Sequence, residues 1–376
     1  MGRENETIVV KIEHLKKILL LVTTYPSGDN CQPFLFSWNG TVLSIYHDET
    51  RGRHSLSPAN IGSIISFGAL LEILDIVCRH NGYQADSKIL PLGSDPLSKW
   101  AEVSFVETKS IEESLMATIP RRATDRRMYR GGNFSDAVFD LIRSENQSTP
   151  KVNVHLVGTV PEKLWRFIAQ SDRLIWDHPS VVRDIVEWIR FSDQESLSTG
   201  DGMTWQSLAM KKPEVKVIEL LKKNVWLRSL MRTPLRLGAV STLKKQISSS
   251  AGIVLLTVKK DRPLQDLIDV GRRGLRIWLQ LNQAEYGVQP VTLSSLWTYF
   301  ASRSSYPDGI GAGLKNEISN KTLDFFKSGV SIWQESLGLA SDEVPVWAFR
   351  TGKVSPYPDG MRTHRLALDA VFKDES

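Results

Sequence analysis

FLFSWNGTVLSIYHD, residues 34–48, sets two runs of strand-forming residues on either side of Asn39-Gly40. Asn-Gly favours a two-residue hairpin turn, because both residues tolerate a positive φ. A tight hairpin joins only antiparallel strands. The stretch therefore predicts an antiparallel or mixed sheet and an α+β class, rather than a doubly wound parallel sheet.

Helical patterns flank this hairpin. Leu15, Ile18, Leu19 and Val22 recur at helical spacing and predict an amphipathic helix over 11–23, which Pro26 closes off. Ile64, Phe67, Leu71, Leu74 and Val77 predict a buried helix from 61 to 77, stopped by Asn81-Gly82. Residues 101–107 alternate as a strand, and a polar helical segment is expected near 110–118. Further on, the patterns give helices over 134–145, 161–175, 179–191, 264–285 and 320–337, with strands at 151–158, 252–258 and 344–350. The segments 199–207 and 302–316 read as surface excursions. No Pro/Gly/Ser-rich linker divides the chain, so two halves sharing one core are expected, 1–115 and 116–376.

Composition narrows the class. Of 376 residues, 41% are hydrophobic, enough for a sizeable core. Forty-seven basic residues against 42 acidic ones are too mild an excess to imply nucleic acid, and fit a site for an anion equally well. Cys31 and Cys78 make no CxxC pair, and no His falls at metal-ligand spacing, so no disulfide scaffold or metal site is indicated. The N-terminus lacks the apolar region of a signal peptide, and Ile18 to Val22 is too short to span a bilayer. The expectation is a soluble, cytoplasmic protein without nucleic-acid or membrane partners.

Two stretches carry chemistry. PRRATDRRMYR sets Arg121, Arg122, Arg126, Arg127 and Arg130 against Asp125, beside the hydroxyl of Thr124. Arginine forks bind phosphate in a bidentate way. Taken alone, the run reads more plainly as solvated or salt-bridged charge, and an RNA patch is weaker for want of aromatic platforms. The second stretch, YPSGDNCQPF at 25–34, offers the backbone freed by Gly28, the Ser27 hydroxyl, and the amides of Asn30 and Gln32 between Pro26 and Pro33. That inventory suits a flat heterocycle with mixed edge polarity. The alternative, a helix-stop loop, accounts for Pro and Gly but not for the amides. Cys31 has no adjacent base and reads as a small buried thiol. YGVQPVT at 286–292 reads as a helix end followed by Gln289, Pro290, Val291 and Thr292, and Arg362 and Arg365 precede a terminal strand.

Together these residues resemble the nitroreductase-like FMN flavoproteins, in particular the long single-chain branch that includes Acg-like and ThiF-associated proteins. That family holds the FMN phosphate with an Arg-x-Ser-x-basic segment, and Arg122, Thr124 and Arg126 fall at its spacing. A Pro-Ser-x-x-Asn-x-Gln-Pro loop covers the flavin from the partner subunit, and Pro26, Ser27, Asn30, Gln32 and Pro33 match it. The order of the two motifs in one chain implies a fused pseudo-dimer with one FMN site. SFGALLEILDIV resembles the family's central helix, YGVQP the segment near the flavin ring, and Arg362 and Arg365 its terminal phosphate contacts. Tyr25, Phe34 and Thr124 depart from the usual residues, and Tyr25 is expected to narrow access to the ring.

The resemblance implies two-electron chemistry at flavin N5 without a catalytic side chain, an N–H near Gln289 to Thr292 on N5, NAD(P)H as reductant and a small-molecule electron acceptor. It leaves open a non-catalytic FMN-sequestering role with residues 199–250 as a lid, and a role as accessory to a ThiF-type adenylating partner. The chain would act as a monomeric pseudo-dimer or as a homodimer.

Overall fold

The computed structural model describes residues 10–53, 56–93, 95–148, 151–305 and 319–376. The strands form two main sheets. The first takes β1 (Phe34–Trp38), β2 (Leu43–Asp48), β3 (Tyr83–Ile89), β4 (Leu97–Glu107) and the terminal β11 (Phe372–Asp374) in the order β11-β1-β2-β4-β3. The second takes β5 (Asn153–Val157), β8 (Gly252–Lys259), β9 (Tyr286–Pro290) and β10 (Glu343–Lys353) in the order β5-β8-β10-β9. Within these two sheets the β1–β11 pair is parallel and the other described pairs are antiparallel, so the first sheet is mixed and the second antiparallel. A two-stranded ribbon, β6 (Ile189–Arg190) with β7 (Met203–Thr204), lies apart from both. The α+β class read from residues 34–48 is what the chain adopts.

The helices Ile61–His80 and Leu267–Gln283 pack along each other. Close approach is possible because Gly68 and Gly271 sit at the contact. A Cβ on Gly68 would lie 2.0 Å from the Ile268 carbonyl oxygen, and one on Gly271 2.0 Å from that of Ile65. One continuous apolar core joins both sheets through this pair, with Trp38, Trp100, Trp278 and Trp333 fully buried in it. Full burial of such a side chain stabilises by roughly 1.5–3 kcal/mol or more. Ile61–His80 is long and apolar enough to cross a membrane, but 89% of its apolar window is buried inside the protein, so it is the core helix. A smaller apolar cluster, around Val186, Ile189, Ile218 and Leu221, holds the segment near 180–235 together.

Several local readings change. The hairpin forms, but Trp38 pairs with Leu43, so its connection has four residues. The Asn39 Oδ1 accepts from the N–H groups of Thr41 and Val42 and closes this wider turn. β3 went unread because its inward positions are only Tyr83, Ala85, Ser87 and Ile89, a weak apolar signal. Residues 110–118 form no α-helix; a 3-10 turn at Met116–Arg121 stands there instead. The long helix ends at Gln283, and Glu285, at φ 63°, turns the chain into β9, so Gly287 is a strand residue and not a helix cap. Residues 199–207 are not a surface excursion, since Asp201, Met203, Thr204 and Ser207 are all buried. The loop read at 302–316 lies largely outside the described residues.

Candidate functional site

The Ile12–Val22 helix ends at Thr23, and residues 25–33 then run against residues 200–202 and 364, to which Asn30 and Gln32 are hydrogen-bonded. Three non-glycine residues of this loop, Asp29, Asn30 and Gln32, hold positive φ of 48°, 59° and 51°. Asp and Asn visit this region at modest cost, whereas Gln does so rarely. The loop is thus a strained conformation fixed by its surroundings. The Ser27 hydroxyl accepts from the Gln32 N–H at 3.0 Å, and the Tyr25 hydroxyl accepts from the Phe34 N–H at 3.2 Å.

Facing the loop is the segment 119–126, which leaves the 3-10 turn at Met116–Arg121 and is tied by the Asp125 N–H to the Val288 carbonyl of β9, at 2.9 Å. Between loop and segment lies a cleft with two compartments of about 170 and 190 Å³, both walled by Pro26, Ser27, Asp29, Thr124 and Arg126. The two stretches singled out in the sequence therefore meet across one cavity.

The first compartment is cationic. Arg122, Arg126, Arg362 and Arg365 line it. Arg122 is buried, donates to the Thr24 carbonyl at 3.0 Å and lies over the Trp278 ring at 4.7 Å. Its Nε has no hydrogen-bond partner. Burial first, then the like charges of Arg365 and Arg362, push its guanidinium down to about 9. Burial likewise pushes Arg365 down to about 10. Both remain charged at neutral pH, at a cost that an anion would relieve. Burial also lowers Arg126, against the raising effect of Asp29. Arg126 donates to the Ser207 carbonyl at 3.0 Å. Among the described residues, Arg122, Arg126 and Arg365 make no ion pair with a carboxylate. Arg362 has only the exposed Asp359, at 3.1 Å, and donates to the Arg121 carbonyl at 3.0 Å.

The second compartment is apolar and bounded by Trp278, Trp347, Leu296, Pro290 and Ile65, with small residues from the loop, Gly28, and from the Ile61–His80 helix, Gly62, Ser63 and Ser66, also lining it. A Cβ added at Gly28 would meet nothing within 4 Å, so the lining stands open at that residue. Thr292, the first residue of the helix Thr292–Ser302, also lines it. First-turn amides have no partner within their own helix. Burial pushes the Cys31 thiol up to about 12, which makes it an inert wall.

Pro26, Ser27, Gly28, Asn30, Arg122, Thr124, Arg126, Pro290, Thr292, Arg362 and Arg365 all line the cleft. Other residues expected there stand elsewhere. Gln32 is spent on structure: its Nε2 donates to the Gly200 carbonyl at 2.9 Å, and its Oε1 accepts from the Leu366 N–H at 3.0 Å. The Asn30 amide nitrogen is engaged too, on Gly202 at 3.0 Å and His364 at 2.8 Å, leaving its Oδ1 buried and unpartnered. Arg121 is exposed, and Arg127 closes on Asp125 at 2.7 Å, away from the cavity. Gln289 accepts from Arg350 at 2.6 Å, and the Val291 N–H donates to Ala348 at 2.7 Å, so neither faces the cleft. Tyr25 is buried beneath the loop and narrows nothing. Trp278, Trp347, Met203, Ser207 and Tyr357 were not foreseen, because tryptophans at helix and strand spacing read as plain core. Only the folded chain brings residues 203–207 against residue 126.

No family model matches the chain, and no curated protein does. Among solved structures, the chain is similar to an FMN- and NADPH-dependent nitroreductase, NfnB, from Sphingopyxis, at 12% identity and a TM-score of 0.36 over 69% of this chain and 97% of that one. It is similar to the FMN-dependent NfnB of Mycobacterium smegmatis in complex with NADPH, at 11% identity and 0.34 over 67% and 92%. A structure from Anabaena variabilis described as a nitroreductase covers more, 91% of this chain and 88% of that one, at 11% identity and 0.42. At such identities and scores, the functional reading rests on the cleft itself.

Proposed function

We propose that the cleft binds FMN and that the chain is a flavin oxidoreductase acting on a small-molecule electron acceptor. One observation carries this reading: the buried Arg122 and the half-buried Arg126 and Arg365, which make no ion pair with a carboxylate among the described residues, open directly onto an apolar, tryptophan-walled compartment. A ligand that satisfies both ends has a phosphate at one and a flat, largely apolar ring at the other. The residues fit the group. Arg122, Arg126, Arg362 and Arg365 would hold the phosphate, and the open lining at Gly28 leaves room for the ring. The Asn30 Oδ1 is an acceptor still in need of a donor.

When bound, FMN supplies reversible two-electron chemistry, so a side-chain nucleophile is not required. The chain's own part is to orient and to exclude water. Trp278 and Trp347 wall the apolar compartment, the arginines would hold the phosphate end, and Thr292, which lines the compartment, would offer its N–H to a ring heteroatom.

A second reading, sequestration of FMN or gating by substrate, is favoured by one observation. Residues 200–202 are tied to the 25–33 loop through Gln32 and Asn30, and Arg51 adds a contact to Asp201 at 2.9 Å. Purified protein is expected to be yellow, and anaerobic addition of NADPH or NADH to bleach it. Slow or absent bleaching of yellow protein selects the second reading. Colourless protein that ignores added FMN overturns both.

A further inference from the structure

The helices Lys212–Lys223 and Val225–Ser248 concentrate the chain's positive charge. Residues 211–245 hold ten Lys and Arg against only Glu214 and Glu219, while the rest of the chain is slightly acidic. Some of these cations are engaged internally: Lys222 with Glu195, Lys223 with Glu219, and Arg232 and Arg236 with Asp177. Lys211, Lys212, Lys216, Lys244 and Lys245 are exposed and make no ion pair among the described residues.

The same helices leave apolar side chains uncovered. Trp226, Leu230 and Leu237 are each 68% exposed. Spaced by four and seven residues, they fall on one narrow stripe of their helix. That stripe is not a core face, because the helix already packs Leu227, Met231 and Leu235 against Ile218 and Leu221. On the preceding helix, Leu220 is half exposed as well.

We propose that this basic helical hairpin docks on an anionic membrane surface. Trp226, Leu230 and Leu237 would enter the boundary between headgroups and acyl chains, and the unpaired lysines would face acidic headgroups. A membrane surface matches both features at once. Nucleic acid would use the lysines but not an aliphatic stripe, and an apolar protein groove would use the stripe but not the lysines. The contact is with a membrane surface and not passage through it.

The test is co-sedimentation of the full-length chain with vesicles of phosphatidylcholine and phosphatidylserine, against vesicles of phosphatidylcholine alone. Binding is expected only to the anionic vesicles and should fall steeply with salt, as screening shortens the reach of the lysines. The Leu230→Ser, Leu237→Ser double variant should weaken binding by about tenfold or more with its thermal midpoint unchanged, because both residues are exposed. Lys216→Glu with Lys245→Glu should weaken it similarly. The proposal is overturned by failure to bind anionic vesicles, by equal binding of the double variant, by RNA competing the protein off the vesicles, or by a concentration-dependent dimer that Leu237→Ser dissolves.

Discussion

Arg122 and Arg365 donate to the same acceptor, the Thr24 carbonyl, at 3.0 and 3.3 Å, so two like charges from distant parts of the chain converge where the first helix ends. No carboxylate among the described residues pairs with either. Such a cluster stabilises a bound anion more than it stabilises the empty fold. Arg122→Ala with Arg126→Ala should therefore abolish FMN retention. Losing charge-assisted hydrogen bonds worth about 1.5–3 kcal/mol each amounts to at least a tenfold weaker complex per residue. Inorganic phosphate should raise the thermal midpoint of the parent and not that of the variant. An equal rise in both would return the arginines to a structural role.

Gly28 separates binding from folding. Its Cβ position is open, so Gly28→Leu is expected to leave the thermal midpoint within a degree or two of the parent while filling the apolar compartment. The purified variant should be colourless. A yellow Gly28→Leu protein would place the ring elsewhere.

Gly68 and Gly271 report on how closely the helices Ile61–His80 and Leu267–Gln283 pack. Adding one methyl at either places it 2.0 Å from a carbonyl oxygen of the facing helix, which backbone movement alone can relieve. Gly68→Ala and Gly271→Ala should each cost about 3 kcal/mol, the upper end of overpacking penalties, or prevent folding. Denaturant titration reads this directly, and a loss below about 0.5 kcal/mol would mean that the helices are not in tight contact.

The legibility of the chain follows the range of the interactions. Leu15 to Val22 and Ile64 to Val77 were readable because a helix repeats its buried face within a few residues. Phe34 to Asp48 were readable because Asn-Gly is a local turn signal. β3 was not, since Ala85 and Ser87 give almost no apolar contrast. At the site, Arg122, Arg126 and the Pro26 to Gly28 stretch stood out by residue type. Gln32 stood out equally, yet its amide serves Gly200 and Leu366, which lie far along the chain. Residue type shows that an amide must be satisfied; only the fold decides by what.

His47 should make stability pH-dependent. It is fully buried, stacked on Trp100 at 4.2 Å, with neither ring nitrogen hydrogen-bonded, and burial pushes it down to about 4 against the raising effect of the Asp48 carboxylate. The unfolded chain takes up this proton near pH 6.5 and the folded one only near 4, so stability is full above 6.5 and falls as the pH drops through that window. The loss reaches about 3 kcal/mol at most. His47→Phe should flatten the change between pH 7 and 4.5 in urea titrations, and an unchanged slope would assign it to other groups.

Asp201 is where the lid reading is most open to test. Its carboxylate accepts from Arg190 and, at 2.9 Å, from Arg51, two residues 25% or less exposed at their side chains. Burial alone would raise this carboxyl, but the hydrogen bonds from Arg190 and Arg51 outweigh it and hold it below the usual carboxylate range. The contact therefore persists at neutral pH and is lost only as the pH falls through that lowered value. Asp201→Asn keeps the shape, removes the charge, and leaves two guanidiniums without their counter-ion. About 1–3 kcal/mol should be lost from the local closing of residues 199–207. Amide exchange in that segment should speed up while the core helices keep their protection. If the segment covers bound flavin, FMN should also dissociate faster from the variant by about tenfold, with little change in its association. Faster exchange at 199–207 with an unchanged FMN off-rate would make this segment a scaffold for the loop rather than a cover over the ligand.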